Sequence, residues 1–463
     1  MADTTSPAPG PLGTQPIGRL MLRLAVPTIA AQFIDVLYNV VDRIYIGNIP
    51  GIGAAALTGV GVTAPILSVI AAFAALAGLG GSPLAAIALG RGDHEGAQRI
   101  LNNSFSLLLG LSAVLTVVFQ LFKAPLLYWF GASDALIGYS LDYITIYLYG
   151  TVFVQLALGL TPFITAQGDT LVSLGGVLLG AGLNLVLDPL FIFVFGLGVR
   201  GAAIATVLSQ GCSAAWVLLY LGRSRRSRLR LDARAMRPSW RVLGPVLALG
   251  VSPFAMSATE SAVTVVLTSG MQRYGNDLYV GTITILQSCM LLIGMPVRGL
   301  VAGTEPIISF NYGAGQYGRC REALRKLMLY SGMISVCMAA VFTFWARPIA
   351  RAFTADEALV ELTARAMPIF VGGVWVFWLQ IVCQHVFMAL GQAKISLFLA
   401  LLRKVILLVP LALLLPWLTR SVVSIYWAEP IADIAASLTT TAFFFSRYNA
   451  LLPPQKGDAP CQP

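Results

Sequence analysis

Apolar runs of roughly twenty residues, parted by short polar or glycine- and proline-bearing breaks, recur from residue 20 to residue 446. Twelve can be marked, at about 20–46, 57–89, 102–122, 137–165, 171–195, 201–221, 244–270, 281–309, 325–346, 360–390, 396–417 and 424–446. Each is long enough to cross ~30 Å of hydrocarbon as a helix. The strict period-2 alternation of an outer-membrane barrel is absent. The pattern predicts an all-α integral membrane protein with twelve transmembrane helices.

Composition agrees. Hydrophobic residues make up 57% of the chain and charged residues 11%, against about 25% charged in a soluble domain. Cys212, Cys289, Cys337 and Cys383 fall inside apolar runs, Cys320 and Cys461 stand apart, and no disulfide or metal spacing is present. Residues 1–18 have neither a basic start nor a cleavable apolar core, and read as a disordered cytoplasmic tail.

The basic residues set an orientation. With both ends cytoplasmic and an even number of spans, the inner segments hold 19 Lys and Arg residues, eight of them between Arg223 and Arg241, and the outer segments hold 6. This asymmetry places both termini in the cytoplasm. The net charge of +10 is then explained by loops facing anionic lipid, and nucleic acid is not an expected partner.

The chain also repeats itself. Gly80, Pro83, Gly90 and Gly92 match Gly303, Pro306, Gly313 and Gly315 at an offset of 223 residues, and Ala166, Gly168, Ser173 and Leu174 match Ala389, Gly391, Ser396 and Leu397 at the same offset. The expected organisation is a tail (1–18), a six-helix bundle (19–222), a basic cytoplasmic linker (223–243), a second, pseudo-symmetric six-helix bundle (244–447) and a cytoplasmic tail (448–463). Parallel repeats suit alternating access about a central cavity.

Ionisable groups inside the runs are costly and mark ion or substrate paths. Asp35, Tyr38, Asn39 and Asp42 are spaced i, i+3, i+4, i+7 and share one helix face. Asn184 and Asp188 share another, with Pro189 freeing the Leu185 carbonyl. Counting from the helix ends puts both acids in the outer half of the first bundle, where they can meet. Two carboxylates with Asn184 and Tyr38 offer oxygen ligands for Na⁺, or an acid pair that holds one proton. The second half lacks such acids at the equivalent places. Glu260, Glu305, Glu429 and Asp433 lie in its spans beside Arg298, Arg403, Lys404 and His385. There, Glu429 and Asp433 (i, i+4) would repel unless they share a cation or proton. His385 reads as a satisfied interhelical donor.

Leu-Tyr-Asn-Val-Val-Asp (37–42), Leu-Asn-Leu-Val-Leu-Asp-Pro (183–189), Gly-Val-Arg-Gly-Ala-Ala-Ile-Ala-Thr (198–206) and Pro-Ile-Ile-Ser-Phe-Asn-Tyr-Gly-Ala-Gly (306–315) together resemble the multidrug and toxic compound extrusion family of antiporters. The resemblance runs from about residue 19 to 447. It implies export of amphipathic, often cationic compounds driven by inward H⁺ or Na⁺, from a bacterial cytoplasmic membrane, by a monomer without cofactor. It carries a cation site to Tyr38, Asp42, Asn184 and Asp188, with Thr206 a weaker member, and an acid of the seventh helix to Glu260. Asp35 and Glu305 depart from the family pattern. Other readings are a flippase for a lipid-linked precursor, which would need a basic central groove, a membrane-embedded transferase, and a passive channel. His94 and His385 are the only histidines, and no catalytic spacing surrounds them.

Overall fold

The computed structural model describes residues 11–232, 238–354 and 356–453. Helices account for nearly all of them, and no strand occurs among the described residues. Inside hydrocarbon each backbone N–H and C=O must be satisfied within its own segment, so helix is the form these runs take.

The first half opens with a short helix α1 (Pro11–Thr14) and the long α2 (Ile17–Gly47). It continues through α3 (Gly53–Val62), α4 (Ala64–Gly90), α5 (His94–Trp129), α6 (Ile137–Tyr149), α7 (Thr151–Ala166), α8 (Thr170–Pro189) and α9 (Gly198–Arg223). The second half holds α10 (Trp240–Tyr274), α11 (Asp277–Gly313), α12 (Tyr317–Phe344), the short α13 (Ala346–Phe353), α14 (Glu357–Phe370) and α15 (Val374–Ala389). It ends with α16 (Ala393–Leu401), α17 (Val409–Thr419) and α18 (Val423–Leu451). Ten continuous helical stretches are long and apolar enough to cross a membrane, and an eleventh is the pair α6–α7, bent by 59°. With α18, 29 residues long, the count is twelve.

Two apolar runs that look continuous in sequence are broken in the fold. The run at 57–89 divides at Thr63, where Pro65 starts a new helix in its first turn. The run at 137–165 bends at Gly150, where a Cβ would stand 2.6 Å from the Val207 side chain. A larger residue there would push α9 away.

The tail boundary moves too. Residues 11–18 are not a disordered tail: Leu12 is buried, Asn311 Nδ2 donates to its carbonyl at 3.0 Å, and Arg319 Nη2 donates to the Gln15 carbonyl at 2.7 Å. Two side chains of the second half thus tie the N-terminal turn down. Residues 1–10 and 454–463 of the expected tails, and 233–237 of the expected linker, lie outside the described residues.

The sequence repeat is a conformational one. Gly92 and Gly315 have φ of +79° and +70°, and Gly168 and Gly391 have +89° and +72°, each pair closing equivalent helices in the left-handed region that glycine adopts freely. These loops lie on the same face as the linker between the halves, here called the linker face. The two halves pack against each other near that face through reciprocal glycines. A Cβ on Gly90 would stand 1.9 Å from the Phe310 carbonyl oxygen, and one on Gly313 would stand 2.0 Å from that of Ile87. Gly250 meets the Leu76 carbonyl oxygen and Gly303 meets Ala25 in the same backbone-to-backbone way. Without a hydrophobic drive between helices in lipid, such small residues allow the close van der Waals packing that holds the halves together. Thr28 adds a cross-bundle hydrogen bond to the Gly299 carbonyl at 2.6 Å.

Candidate cation and substrate sites

In the half away from the linker face, α2 and α8 bring their acids together inside the first bundle. The Asp42 and Asp188 carboxyls lie within hydrogen-bonding reach of each other. Asn184 Nδ2 donates to Asp188 Oδ1 at 3.1 Å. Asp188 is fully buried and Asn184 nearly so. One oxygen of each acid, Asp42 Oδ1 and Asp188 Oδ2, is buried without a partner. Arg43, next in sequence to Asp42, makes no ion pair with it among the described residues, as expected for neighbours that point away from each other on a helix.

Tyrosines and a threonine complete the walls. Tyr38, one turn before Asp42, stands beside both acids, and its phenol oxygen meets the Thr206 hydroxyl. Thr206 Oγ1 itself donates to the Ala202 carbonyl at 2.9 Å. Tyr143 also meets Thr206, and stacks on Tyr147 with ring centroids 6.0 Å apart. Tyr143 and Tyr147 escaped the sequence reading. Their i, i+4 spacing puts two buried phenols on one face of α6, which is the signal that could have found them.

Two carboxyls in direct contact with one amide can share a proton or, spread slightly, hold a small cation. The chain continues past Pro189 through a wide π turn at Leu190–Val194, a helix irregularity common at functional positions.

The second bundle is built on different chemistry. A π segment, Leu402–Leu408, carries Arg403 and Lys404. Arg403 Nη2 meets Glu429 Oε1 at 2.5 Å and its Nε meets Asp433 Oδ1 at 2.6 Å. Its guanidinium also covers the Phe377 ring at 4.2 Å. Lys404 pairs with Glu260 and donates to the Met256 carbonyl at 2.9 Å. The cation that Glu429 and Asp433 require is therefore a side chain of the protein. Glu260, Arg298, Arg403, Lys404 and Glu429 line a cavity of about 180 Å³.

Asp35 and Glu305 belong to neither cluster. They line a cavity between the bundles of about 280 Å³. His385, expected to bond across helices, bonds instead within its own: its Nδ1 lies 2.8 Å from the Ile381 carbonyl one turn earlier.

The MatE family model matches residues 27–190 and 254–414. The chain is 25% identical over 428 residues to the multidrug export protein MepA of Staphylococcus aureus, covering 91% of this chain and 93% of that one. It is 24% identical to the Staphylococcus haemolyticus protein of that name, covering 94% and 95%. Among solved structures it superposes on a crystal structure of a MATE protein in the bent conformation with a TM-score of 0.89 at 24% identity, covering 95% of this chain and 97% of that one.

Proposed function

The chain belongs to the MatE family, and from that premise we propose that it is a secondary antiporter exporting amphipathic, cationic organic compounds in exchange for inward H⁺ or Na⁺. The contact between Asp42 and Asp188 carries the ion half of this reading. Two acids that touch inside one bundle, each with an oxygen left unpartnered, hold a proton between them, and with Asn184 they offer Na⁺ three oxygen-bearing side chains. The names of the staphylococcal relatives support the drug half.

In a cytoplasmic membrane with both termini inside, the linker face is the cytoplasmic one. The reciprocal glycine packing then seals the inward side. Loading the Asp42–Asp188 site favours release of drug outward, and emptying it inward resets the pump. The ion shifts the balance only by its differential affinity for the two states.

The interbundle cavity also weighs against export of anionic lipid precursors. Among the described residues it is lined by two acids and by no Lys, Arg or His. Arg298, Arg403 and Lys404 stand in a separate cavity, where Arg403 is paired with Glu429 and Asp433 and Lys404 with Glu260.

The test is efflux of an organic cation from liposomes under separately imposed pH and Na⁺ gradients. One gradient drives export if the reading holds. Failure of both, with correctly inserted protein, overturns it.

A further inference from the structure

Glu305 on α11 and His385 on α15 are ionisable groups inside the spans that neither the ion site nor the Arg403 network uses. The register of their helices brings them level. Ser309 Oγ of α11 donates to the Ala389 carbonyl of α15 at 2.9 Å, and both helices run toward the linker face, closed there by Gly315 and Gly391. They are therefore parallel, and Glu305 and His385 each stand four residues before that contact, one turn back on the same side. Together they line a gap between α11, α12 and α15 whose other walls are Val301, Ile308, Leu327, Val386 and Ala389. The gap is too narrow to hold a water molecule.

The hydrogen bonds leave both groups incomplete. The Ile381 carbonyl can only accept, so the His385 Nδ1 that faces it carries the hydrogen. Nε2 of the neutral ring then has a free lone pair and no hydrogen-bond partner among the described residues, and Glu305 has neither a hydrogen bond nor an ion pair among them. An imidazole lone pair and a carboxyl in one dry, apolar gap complete each other through one proton. Carboxylic acid with imidazole, or carboxylate with imidazolium, is neutral overall, whereas a lone carboxylate there is costly.

The charged groups of the surrounding helices are engaged or turned elsewhere. Arg298, two turns before Glu305, is within electrostatic reach of His385 and opens into the second-bundle cavity. The contacts of Ala25 with Gly303 and of Ile29 with Gly299 bring Arg23 level with Glu305, but Arg23 is two residues from Ala25, on the far side of α2, where it lines a pocket with Arg19. The same register puts Asp35 about twelve residues farther along. Lys326 of α12 pairs with Glu322, Glu260 of α10 with Lys404, and Glu429 and Asp433 of α18 with Arg403. Helices α4 and α7 carry no charged residue.

We propose that Glu305 and His385 form a proton-binding site of the second bundle, loaded and emptied through the interbundle cavity, which Glu305 also lines. Loading adds one proton to a carboxylate and a neutral imidazole. Emptying returns it to water in the cavity and leaves the carboxylate charged. At the repeat offset of 223 residues the counterparts are Ser82 and Pro162, neither of which titrates, so this pair belongs to the second bundle alone, as Asp42 and Asp188 belong to the first. The site goes beyond the export reading and adds a second exchangeable proton to the one held by that acid pair.

The test is nitrogen-15 NMR of the histidine ring in the full-length, tag-free protein in lipid nanodiscs, followed against pH. His94→Gln, at an exposed position, leaves His385 as the only histidine and its signals unambiguous. Removing the acid with Glu305→Gln should make His385 hold its proton about tenfold less tightly or more, a displacement of at least about one pH unit toward acid. Glu305→Ser should do the same, and it installs the residue that the first bundle carries at the equivalent place, so the test survives if the glutamine variant fails to fold. A His385 response that is the same with and without Glu305, or absent from both, overturns the pair. Efflux under imposed gradients is read separately: uncoupled His385 signals in a protein that still exports sink the pair and leave the export reading standing, and coupled signals in a protein that exports under neither gradient do the reverse.

Discussion

Asp42 on α2 and Asp188 on α8 meet carboxyl to carboxyl inside the first bundle, and Asn184 supports Asp188 from one turn away. The equivalent region of the second bundle holds Arg403 between Glu429 and Asp433. One bundle thus leaves its acid pair for an exchangeable ion, while the other satisfies its pair with a tethered guanidinium.

Asp42→Asn or Asp188→Asn should reduce ion-driven export to background while leaving the protein in the membrane, because an amide can neither release a proton nor neutralise a cation. Asn184→Ala should weaken export less, by roughly fivefold, since one supporting hydrogen bond is worth about 1 kcal/mol. Dye export from everted vesicles, normalised to protein, measures both. Unchanged export from the two Asp variants would remove the pair from the coupling mechanism.

Arg403→Leu leaves two buried carboxylates facing each other without their cation. The variant should lose about 3–5 kcal/mol of stability, the cost typical of breaking a buried charge pair. Adding Glu429→Gln and Asp433→Asn to it should restore part of the loss. Thermal unfolding in detergent compares the three forms. A single variant as stable as wild type would show that the network contributes little to the fold.

Gly90→Val and Gly313→Val should both disfavour the arrangement in which the linker face is sealed. A Cβ at either position falls about 2 Å from a carbonyl oxygen of the other bundle, and overpacking of this kind typically costs 1–3 kcal/mol. Spin labels at His94 and Lys394, exposed on the linker face of the two bundles, should report a longer distance in both variants. Because the two contacts are related by the internal repeat, the shifts should be similar. A shift in one alone would argue that the two bundles do not move as equivalents.

Much of the architecture was legible in the chain. The twelve apolar runs became the twelve spans, because hydrocarbon leaves a polypeptide little choice but helix. The face shared by Tyr38 and Asp42, and that shared by Asn184 and Asp188, followed from helical periodicity alone. The breaks at Thr63 and Gly150 did not, since an apolar run looks the same whether straight or bent. In the second case the bend is tied to the approach of Val207 from another helix.

The sequence by itself determined the membrane class, the internal repeat and which side chains carry charge inside the spans, since these depend on composition and on period along one helix. Only the tertiary structure decided which charges neutralise each other. Asp42 and Asp188 touch, Arg403 and Lys404 face different acids from adjacent positions, and Asp35 and Glu305 share a cavity without pairing. Tyr143 and Tyr147 joined the ion site for the same reason. Such relationships depend on the rotation and approach of helices that are distant in sequence, which is set by interlocking small residues such as Gly90 and Gly313 and not by any local pattern.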